Sequence, residues 1–163
     1  MTIRKLNIDQ LVKEALQGHN ERAKSVIISR YRLSEGKKKT LAQLGDEYGL
    51  TRERVRQIEA ATLATIRAKI KSHEEAIKFL KIIESYLNDA GYLRRSDLVA
   101  RDFAVLLDKQ KDEENLHPKL HFLARVLGEP KIHEANEDWH TFWYNREEAR
   151  KTAYDLASQL VRA

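Results

Sequence analysis

Apolar residues recur every three or four positions along the first seventy residues, which is the spacing of one face of an α-helix. The pattern predicts helices over Ile8–Leu16, Glu21–Leu33 and Leu41–Tyr48. A longer fourth helix should begin after Thr51 and run to about Lys71. The first half of the chain is therefore expected to be almost entirely helical.

The boundary between the third and fourth helices carries the signals of a tight turn. Thr40 and Thr51 stand where each helix should begin, and threonine hydroxyls accept hydrogen bonds from the free N–H groups of a helix start. Gly49 lies between the two helices and suits the left-handed backbone that ends a helix. A short helix, a glycine-bearing turn and a longer helix together predict a helix-turn-helix.

At about 100° per residue, the fourth helix has two distinct faces. Its apolar face carries Val55, Ile58, Thr62 and Ile66. The nearly opposite face of its first half carries Arg52, Glu53, Arg56, Gln57 and Ala60. We expect the first face to anchor the helix in the core and the second to project long polar side chains.

These polar side chains are of the types that read bases in the major groove of DNA. Arginine can donate two hydrogen bonds to guanine, glutamate can accept one from cytosine, and glutamine can bond adenine or a phosphate. In helix-turn-helix proteins, the N-terminal residues of the motif's second helix reach the base edges. The alternative is an ordinary solvated helix face, and the helix dipole alone would explain Glu53.

The second half of the chain begins with further helical spacing. It predicts helices over Ser72–Ala90, over Asp97–Leu107 with Ser96 as its N-cap, and over Leu116–Leu127. Lys109–Asn115 is predicted to be a polar loop.

Aromatic residues then replace the helical pattern. Residues 131–144 flank an Asn-Glu-Asp turn with Ile132 and an aromatic run, which predicts a β-hairpin, and Arg146–Arg162 should form a terminal helix. Three helices and a hairpin are the layout of a winged helix. The expected fold is mainly α, with a helix-turn-helix domain over residues 1–71 and a winged-helix domain with a C-terminal helix over residues 72–163.

The charge distribution favours a nucleic-acid partner for the first domain. The chain of 163 residues has a net charge of +5, but residues 19–71 hold 13 Lys and Arg against 6 Asp and Glu. Residues 101–163 hold 10 against 12. There is no cysteine and no apolar run of the ~20 residues that a membrane span needs, so we expect a cytoplasmic protein without a membrane partner.

Two segments resemble a known family. They are ERAKSVIISRYRL, residues 21–33, and TLAQLGDEYGLTRERVRQIEA, residues 40–60, which resemble region 4 of the sigma-70 family of transcription initiation factors. In that family the helix-turn-helix reads the −35 promoter element, and the same domain grips the flap of the RNA polymerase β subunit. The resemblance implies double-stranded promoter DNA and the polymerase flap as partners.

The resemblance also assigns roles to individual residues. By position, the base-edge readers should be Arg52, Glu53, Arg56 and Gln57. The residues expected to contact the DNA backbone or the polymerase are Thr40, Leu41, Thr51, Arg54 and Lys69.

This sequence departs from the family pattern in two respects. Arg32 stands where the family usually has glycine, so a left-handed backbone there would cost about 1 kcal/mol unless Gly36 takes up the bend. About twenty residues precede the motif, too few for the other sigma domains that melt promoter DNA and bind the polymerase clamp. We therefore expect a regulator or an accessory factor.

The second domain resembles HARE-type winged helix-turn-helix domains, through its overall pattern and the segments LHFLARVLG and WHTFWY. Trp139 and Trp143 could form a partner surface on the hairpin, or the aromatic residues could simply close a small core. Protein binding is the better functional interpretation, because this part of the chain is not basic. A homodimer is a further possibility.

Other chemistry is not expected. His117 and His121 are spaced four apart, as in some metal sites, but no third ligand stands at a suitable spacing. No nucleophile motif, phosphate loop or paired-carboxylate arrangement is present, so we expect neither enzymatic activity nor a cofactor. Two alternatives to sequence-specific reading stay open: a polymerase-docking module that never reads DNA, and architectural DNA binding without site preference.

Overall fold

The computed structural model describes residues 6–162. The first four helices are α1 (Ile8–Leu16), α2 (Glu21–Tyr31), α3 (Leu41–Tyr48) and α4 (Arg52–Ile70). Each begins at a side chain that accepts a hydrogen bond from the first turn, namely Asn7, Asn20, Thr40 and Thr51. The helices α1 and α3 have the predicted bounds, and α2 and α4 end within two residues of theirs.

The turn between α3 and α4 is closed by a close backbone approach. Gly49 has a left-handed backbone, with φ of 64°, and the N–H of Leu50 donates to the carbonyl of Gly45 over 2.8 Å. A Cβ on Gly45 would lie 2.6 Å from the backbone oxygen of Leu50. Only glycine therefore fits at position 45, and this packing fixes the angle between the two helices of the motif.

The second half forms α5 (Glu74–Asp89), β1 (Leu93–Arg95), α6 (Ser96–Leu106), a 3-10 turn (Gln110–Asp112), α7 (Glu113–Leu127), β2 (Lys131–His133), β3 (Phe142–Tyr144) and α8 (Glu147–Arg162). The strands form an antiparallel sheet in the order β1-β3-β2. The predicted hairpin and terminal helix are confirmed. Strand β1 was not predicted, because three residues reading Leu-Arg-Arg carry no alternating pattern.

α5 agrees with its predicted range to within two residues at each end, but the predicted start of α7 was wrong. α7 begins at Glu113 inside the predicted polar loop, so Pro118 lies within the helix. Proline has no N–H, and the carbonyl of Glu114, four residues earlier, thus loses its intrahelical donor.

That carbonyl receives a hydrogen bond from the first half of the chain. Arg32 keeps the left-handed backbone of the family pattern, with φ 52° and ψ 48°, and ends α2. Its guanidinium Nη2 donates to the backbone oxygen of Glu114 over 2.6 Å, and Nη1 lies 3.3 Å from the Glu114 carboxylate. This contact, which glycine could not make, offsets the backbone strain of about 1 kcal/mol.

A single large cluster of buried apolar side chains draws on both halves of the chain. From the first half it takes side chains of α1, α2 and α4, including Leu11, Ile27, Ile66 and Ile70. From the second half it takes Phe79, Phe103, Phe122 and Trp143, among others. The division at residue 71 stays a prediction, and the two halves share this core. No helix within residues 6–162 is both long and apolar enough to cross a membrane.

A smaller cluster holds the helix-turn-helix together. It consists of Val26 of α2, Leu44 of α3 and Val55 of α4, all fully buried. The first half of α4 is thus anchored by this cluster, and its second half by the larger one.

We expect Gly45→Ala to destabilise the protein. In an unobstructed helix, alanine in place of glycine stabilises by about 1 kcal/mol. Here the new Cβ would lie 2.6 Å from the Leu50 oxygen. The substitution should therefore be destabilising, and should lower the free energy of unfolding by about 1–3 kcal/mol. Urea unfolding measures the difference.

Gly18→Ala is the control for that experiment. Gly18 has φ of 78°, but no atom lies within 4 Å of the place that a Cβ would take, so alanine costs only the backbone strain of about 1 kcal/mol. A stabilising Gly45→Ala would contradict the close approach.

The link between Arg32 and Pro118 predicts that substitutions at these two positions have non-additive effects on the free energy of unfolding. Arg32→Ala should cost about 1 kcal/mol, because it leaves the Glu114 carbonyl without its donor. In a Pro118→Ala background the helix supplies that donor, so the same change should cost clearly less. Thermal or urea unfolding of the wild type, the two single variants and the double variant measures this coupling, and strictly additive effects would contradict it.

Candidate nucleic-acid interface

The polar face predicted for α4 is exposed in the structure. Arg52, Glu53, Arg56 and Gln57 are all exposed, and we call these four residues the reading ridge. On the opposite side, Val55 and Ile66 are fully buried and Thr62 is 7% exposed. The apolar stripe therefore fixes the rotation of α4 about its axis, and this rotation presents the reading ridge to solvent.

Hydrogen bonds connect most of the reading ridge. The Glu53 carboxylate accepts from Arg56 at both oxygens, over 2.8 Å from Nε and 2.7 Å from Nη2. Gln57 Nε2 donates to the same carboxylate over 3.4 Å, and Arg54 Nη1 donates to the Gln57 amide oxygen over 3.2 Å. The ridge side chains thus limit one another's orientations before any DNA is bound.

The Arg56 guanidinium holds the pKa of the Glu53 carboxyl below its ordinary value, chiefly through their hydrogen bonds. The same contact raises the pKa of Arg56. Glu53 therefore stays an ionised acceptor. Arg56 gives two of its five N–H donors to Glu53 and keeps the other three for a further acceptor.

Thr40 and Thr51 serve as helix caps. Thr40 Oγ1 accepts from the N–H of Gln43 over 3.1 Å, and the Gln43 side chain accepts from the Thr40 N–H over 2.8 Å. Thr51 Oγ1 accepts from the N–H of Arg54 over 3.1 Å. Each hydroxyl keeps its own hydrogen for a further acceptor such as a phosphate. Leu41 is half-buried and packs on the smaller cluster.

Lys69 has a structural role that the sequence did not predict. Its ammonium donates to the backbone oxygens of Glu14 over 2.6 Å and Gln17 over 2.9 Å, and so closes the C-terminal end of α1. At 1.5 Å per residue it lies roughly 25 Å along α4 from Arg52. The structure therefore gives Lys69 a capping role, and its contact with DNA or polymerase stays a prediction.

The two tryptophans of the hairpin lie in different environments. Trp143 is completely buried in the large core, so the prediction that it forms a partner surface is wrong. Trp139 is half-buried, with its ring centroid 4.5 Å from that of Tyr154 and 6.0 Å from that of Phe142. This packing closes a small aromatic cluster between the hairpin and α8.

The two histidines of α7 have separate partners. His117 Nε2 lies 2.8 Å from the hydroxyl of Ser96, and burial lowers the pKa of His117. His121 Nε2 lies 3.3 Å from the carboxylate of Glu134. Among residues 6–162, no group of three His, Asp or Glu is placed to hold a metal ion.

The structure also reveals a cleft beside the reading ridge that the sequence did not indicate. It lies between α4 and α7 and has a volume of about 260 Å³. Its lining includes Arg56 and Ala60 of α4, Lys38 of the α2–α3 loop, and Arg125 of α7. These residues are far apart in the sequence, and only the packing of α7 on α4 brings them together.

The contact between Glu53 and Arg56 predicts a measurable titration. In Arg56→Ala the pKa of Glu53 should rise toward the ordinary value for a glutamate, because its strongest hydrogen-bond donor is removed. Carboxyl-carbon NMR of the wild type and the variant measures both values. Arg101→Ala, an exposed arginine on α6, is the control and should leave Glu53 unchanged. An ordinary pKa for Glu53 in the wild type would contradict the contact.

Comparison with known proteins bears on this region of the chain. Residues 10–68 match the family described as sigma-70, region 4. A stretch of 48 residues is 44% identical to the RNA polymerase principal sigma factor HrdD of Streptomyces viridifaciens. That alignment covers 29% of this chain and 14% of the sigma factor's length. Over residues 10–68 the chain is thus similar to sigma-70 region 4, a module of a transcription-factor family.

Proposed function

We propose that this protein is a sequence-specific DNA-binding transcription regulator, or a sigma-like accessory factor, that recognises −35-like promoter DNA through α3 and α4. The observation that carries the proposal is the exposed reading ridge, on a helix whose N-terminal end is held by the tight turn at Gly45. A rigid, exposed helix N-terminus with arginine, glutamate and glutamine side chains is what insertion into the major groove requires.

Each member of the reading ridge has a chemical role in this proposal. Arg52 and Arg56 donate to guanine, Glu53 accepts from a cytosine amino group, and Gln57 bonds adenine or a phosphate. In the free protein Glu53 holds Arg56 at both carboxylate oxygens. These two bonds use two of the five N–H donors of the guanidinium, so Arg56 keeps Nη1 and one N–H of Nη2 for a guanine while Glu53 holds it in place.

The backbone contacts of the motif follow from the caps. Thr40 and Thr51 lie at the N-terminal ends of α3 and α4, where exposed N–H groups and the helix dipole favour a phosphate. Arg54 is exposed one turn into α4, and Leu41 begins α3. We assign these four residues to the sugar-phosphate backbone, and the ridge to the bases.

A second candidate function is docking on the RNA polymerase β flap without independent DNA reading. A groove of about 320 Å³ supports it, lined by Asn20, Arg22, Ala23, Leu50, Arg54, Ile58, Ala61 and Thr62. At 100° per residue, Ile58 and Thr62 lie on a different side of α4 from Arg56. A polymerase segment in this groove would contact Arg54 and would not cover the reading ridge, so this candidate gives the exposed ridge no role.

We further propose that residues 72–163 form a HARE-type winged-helix domain joined to a DNA-binding domain of residues 1–71. The element order α5-β1-α6-α7-β2-β3 and the sheet order β1-β3-β2 support this assignment. Seven residues of α7 are buried, and α7 packs on α1, α2 and α4. α7, the third helix of this proposed domain, is thus covered by the first half of the chain, and we infer that it supports α4. A homodimer stays a prediction, which sedimentation would test.

The test of the main proposal is binding-site selection on random duplexes, with and without polymerase. Arg52→Ala and Arg56→Ala should each cost about 1–3 kcal/mol on the selected site and relax the preference at one base position. Arg101→Ala removes the same charge from the exposed side of α6 and should leave base preference unchanged.

The outcomes separate the candidates. An equal loss on selected and scrambled DNA would show that the arginines only grip phosphate, and would contradict base reading. Retention of polymerase without any selected site would favour the docking function. Steep salt dependence without site preference would favour architectural binding.

A further inference from the structure

The cleft between α4 and α7 gathers basic side chains from distant parts of the chain. Lys38 comes from the α2–α3 loop, His121 and Arg125 come from α7, and Arg56 belongs to the reading ridge. Arg30 and Glu59 also line the cleft, but they pair with each other over 3.4 Å, and Arg30 also donates to the Lys39 carbonyl. That pair is electrically neutral, and Arg56 is likewise paired with Glu53 on the ridge, so Lys38 and Arg125 supply the remaining positive charge of the cleft.

An anionic side chain of the protein itself lines this cleft. The carboxylate of Glu134, which follows β2, lies 3.3 Å from His121 Nε2. Its pKa is lowered, first by the hydrogen bond with His121 and also by the charges of Arg125 and Lys38. His121 and Arg125 of α7 and Lys38 of the α2–α3 loop therefore all favour the ionised form of this carboxylate. Its side chain is 51% exposed, so it could move out into solvent.

We propose that this cleft is a phosphate-binding site for the DNA backbone next to the bases read by α4, and that Glu134 occupies the place of the phosphate in the free protein. The inference rests on the proposed function, because it assumes that the reading ridge enters the major groove. It adds a DNA contact from the second half of the chain, which the resemblance to sigma region 4 does not supply.

The chemistry of the cleft suits a phosphate oxygen. A carboxylate and a phosphate diester both present anionic oxygens to ammonium, guanidinium and imidazole donors. Arg56 and Ala60 line both the cleft and the exposed side of α4, so a DNA strand along the ridge would pass the mouth of the cleft. A neighbouring backbone phosphate is thus the anion in closest reach.

Glu134 gives the cleft a selective property. A phosphate must displace this carboxylate, so a single random encounter with DNA gains little from Lys38 and Arg125. When the reading ridge is engaged with bases, the phosphate is held beside the cleft and the exchange becomes favourable. The carboxylate therefore reduces non-specific binding more than specific binding.

The experiment uses the full chain and a duplex that carries the selected site. Glu134→Gln should tighten binding about two- to fivefold, the worth of one or two exposed charge pairs. Glu137→Gln, which makes the same charge change in the exposed hairpin loop, should have a clearly smaller effect. Arg125→Ala and Lys38→Ala should each weaken binding, reduce the salt slope by about one, and leave base preference unchanged.

A double-variant cycle shows whether the groups share one site. In an Arg125→Ala background, the gain from Glu134→Gln should be smaller than in the wild type, because the phosphate has lost a donor. The ring signals of His121 should also move when the duplex is added. If the His121 ring signals moved when inorganic phosphate was added but not when the duplex was added, the assignment of the cleft to a DNA phosphate would be overturned.

Two results would overturn the site and leave the proposed function standing. One is an equal effect of Glu134→Gln and Glu137→Gln, and the other is unchanged binding in Arg125→Ala and Lys38→Ala while Arg56→Ala still relaxes base preference. Unchanged selectivity in Arg56→Ala would instead contradict the proposed function itself.

Discussion

The structure depends on the burial of one stripe along α4. Val55 packs in the small cluster of the helix-turn-helix, and Ile66 and Ile70 pack in the large core shared with the second half. Because α4 contributes side chains to both clusters, packing at two points along its length constrains its tilt and its rotation about its own axis. The exposure of Arg52 and Arg56 follows from this, since residues on the opposite side of a fixed helix must face solvent. The interface is thus a consequence of core packing.

The second half of the chain acts on the first through α7. Its buried residues cover α1, α2 and the far half of α4, and Arg32 satisfies the carbonyl that Pro118 leaves free. A left-handed arginine and a proline inside a helix are both unfavourable when considered alone. Together they form one complementary contact, which explains why each is tolerated. The contact joins the end of α2 to α7 and thereby restricts how the two halves can move apart.

The helices of the first half could be predicted from the sequence because their signals are local. Thr40, Gly49 and Thr51 mark the ends of α3 and α4, and the period of the apolar residues sets the two faces of α4. The start of α7 could not be predicted, because Pro118 suggests an interruption and its tolerance depends on Arg32, 86 positions earlier. The roles of Lys69 and Trp143, and the cleft beside Arg56, depend likewise on packing between distant segments. No local pattern carries that information.

Carboxylates lie beside basic side chains at two places next to α4. Glu53 forms two hydrogen bonds with Arg56 on the ridge, and Glu134 lies 3.3 Å from His121 in the cleft that Lys38 and Arg125 also line. A basic surface without such partners binds any duplex through its phosphates, with an affinity that depends steeply on salt. Under the proposed function, a carboxylate that neutralises part of the basic surface lowers this background for every sequence. It lowers the affinity for the correct sequence less, because there Glu53 itself accepts from a cytosine and Arg56 keeps three N–H donors for a guanine. On that proposal, the acidic residues of the interface contribute to specificity, at some cost in total affinity.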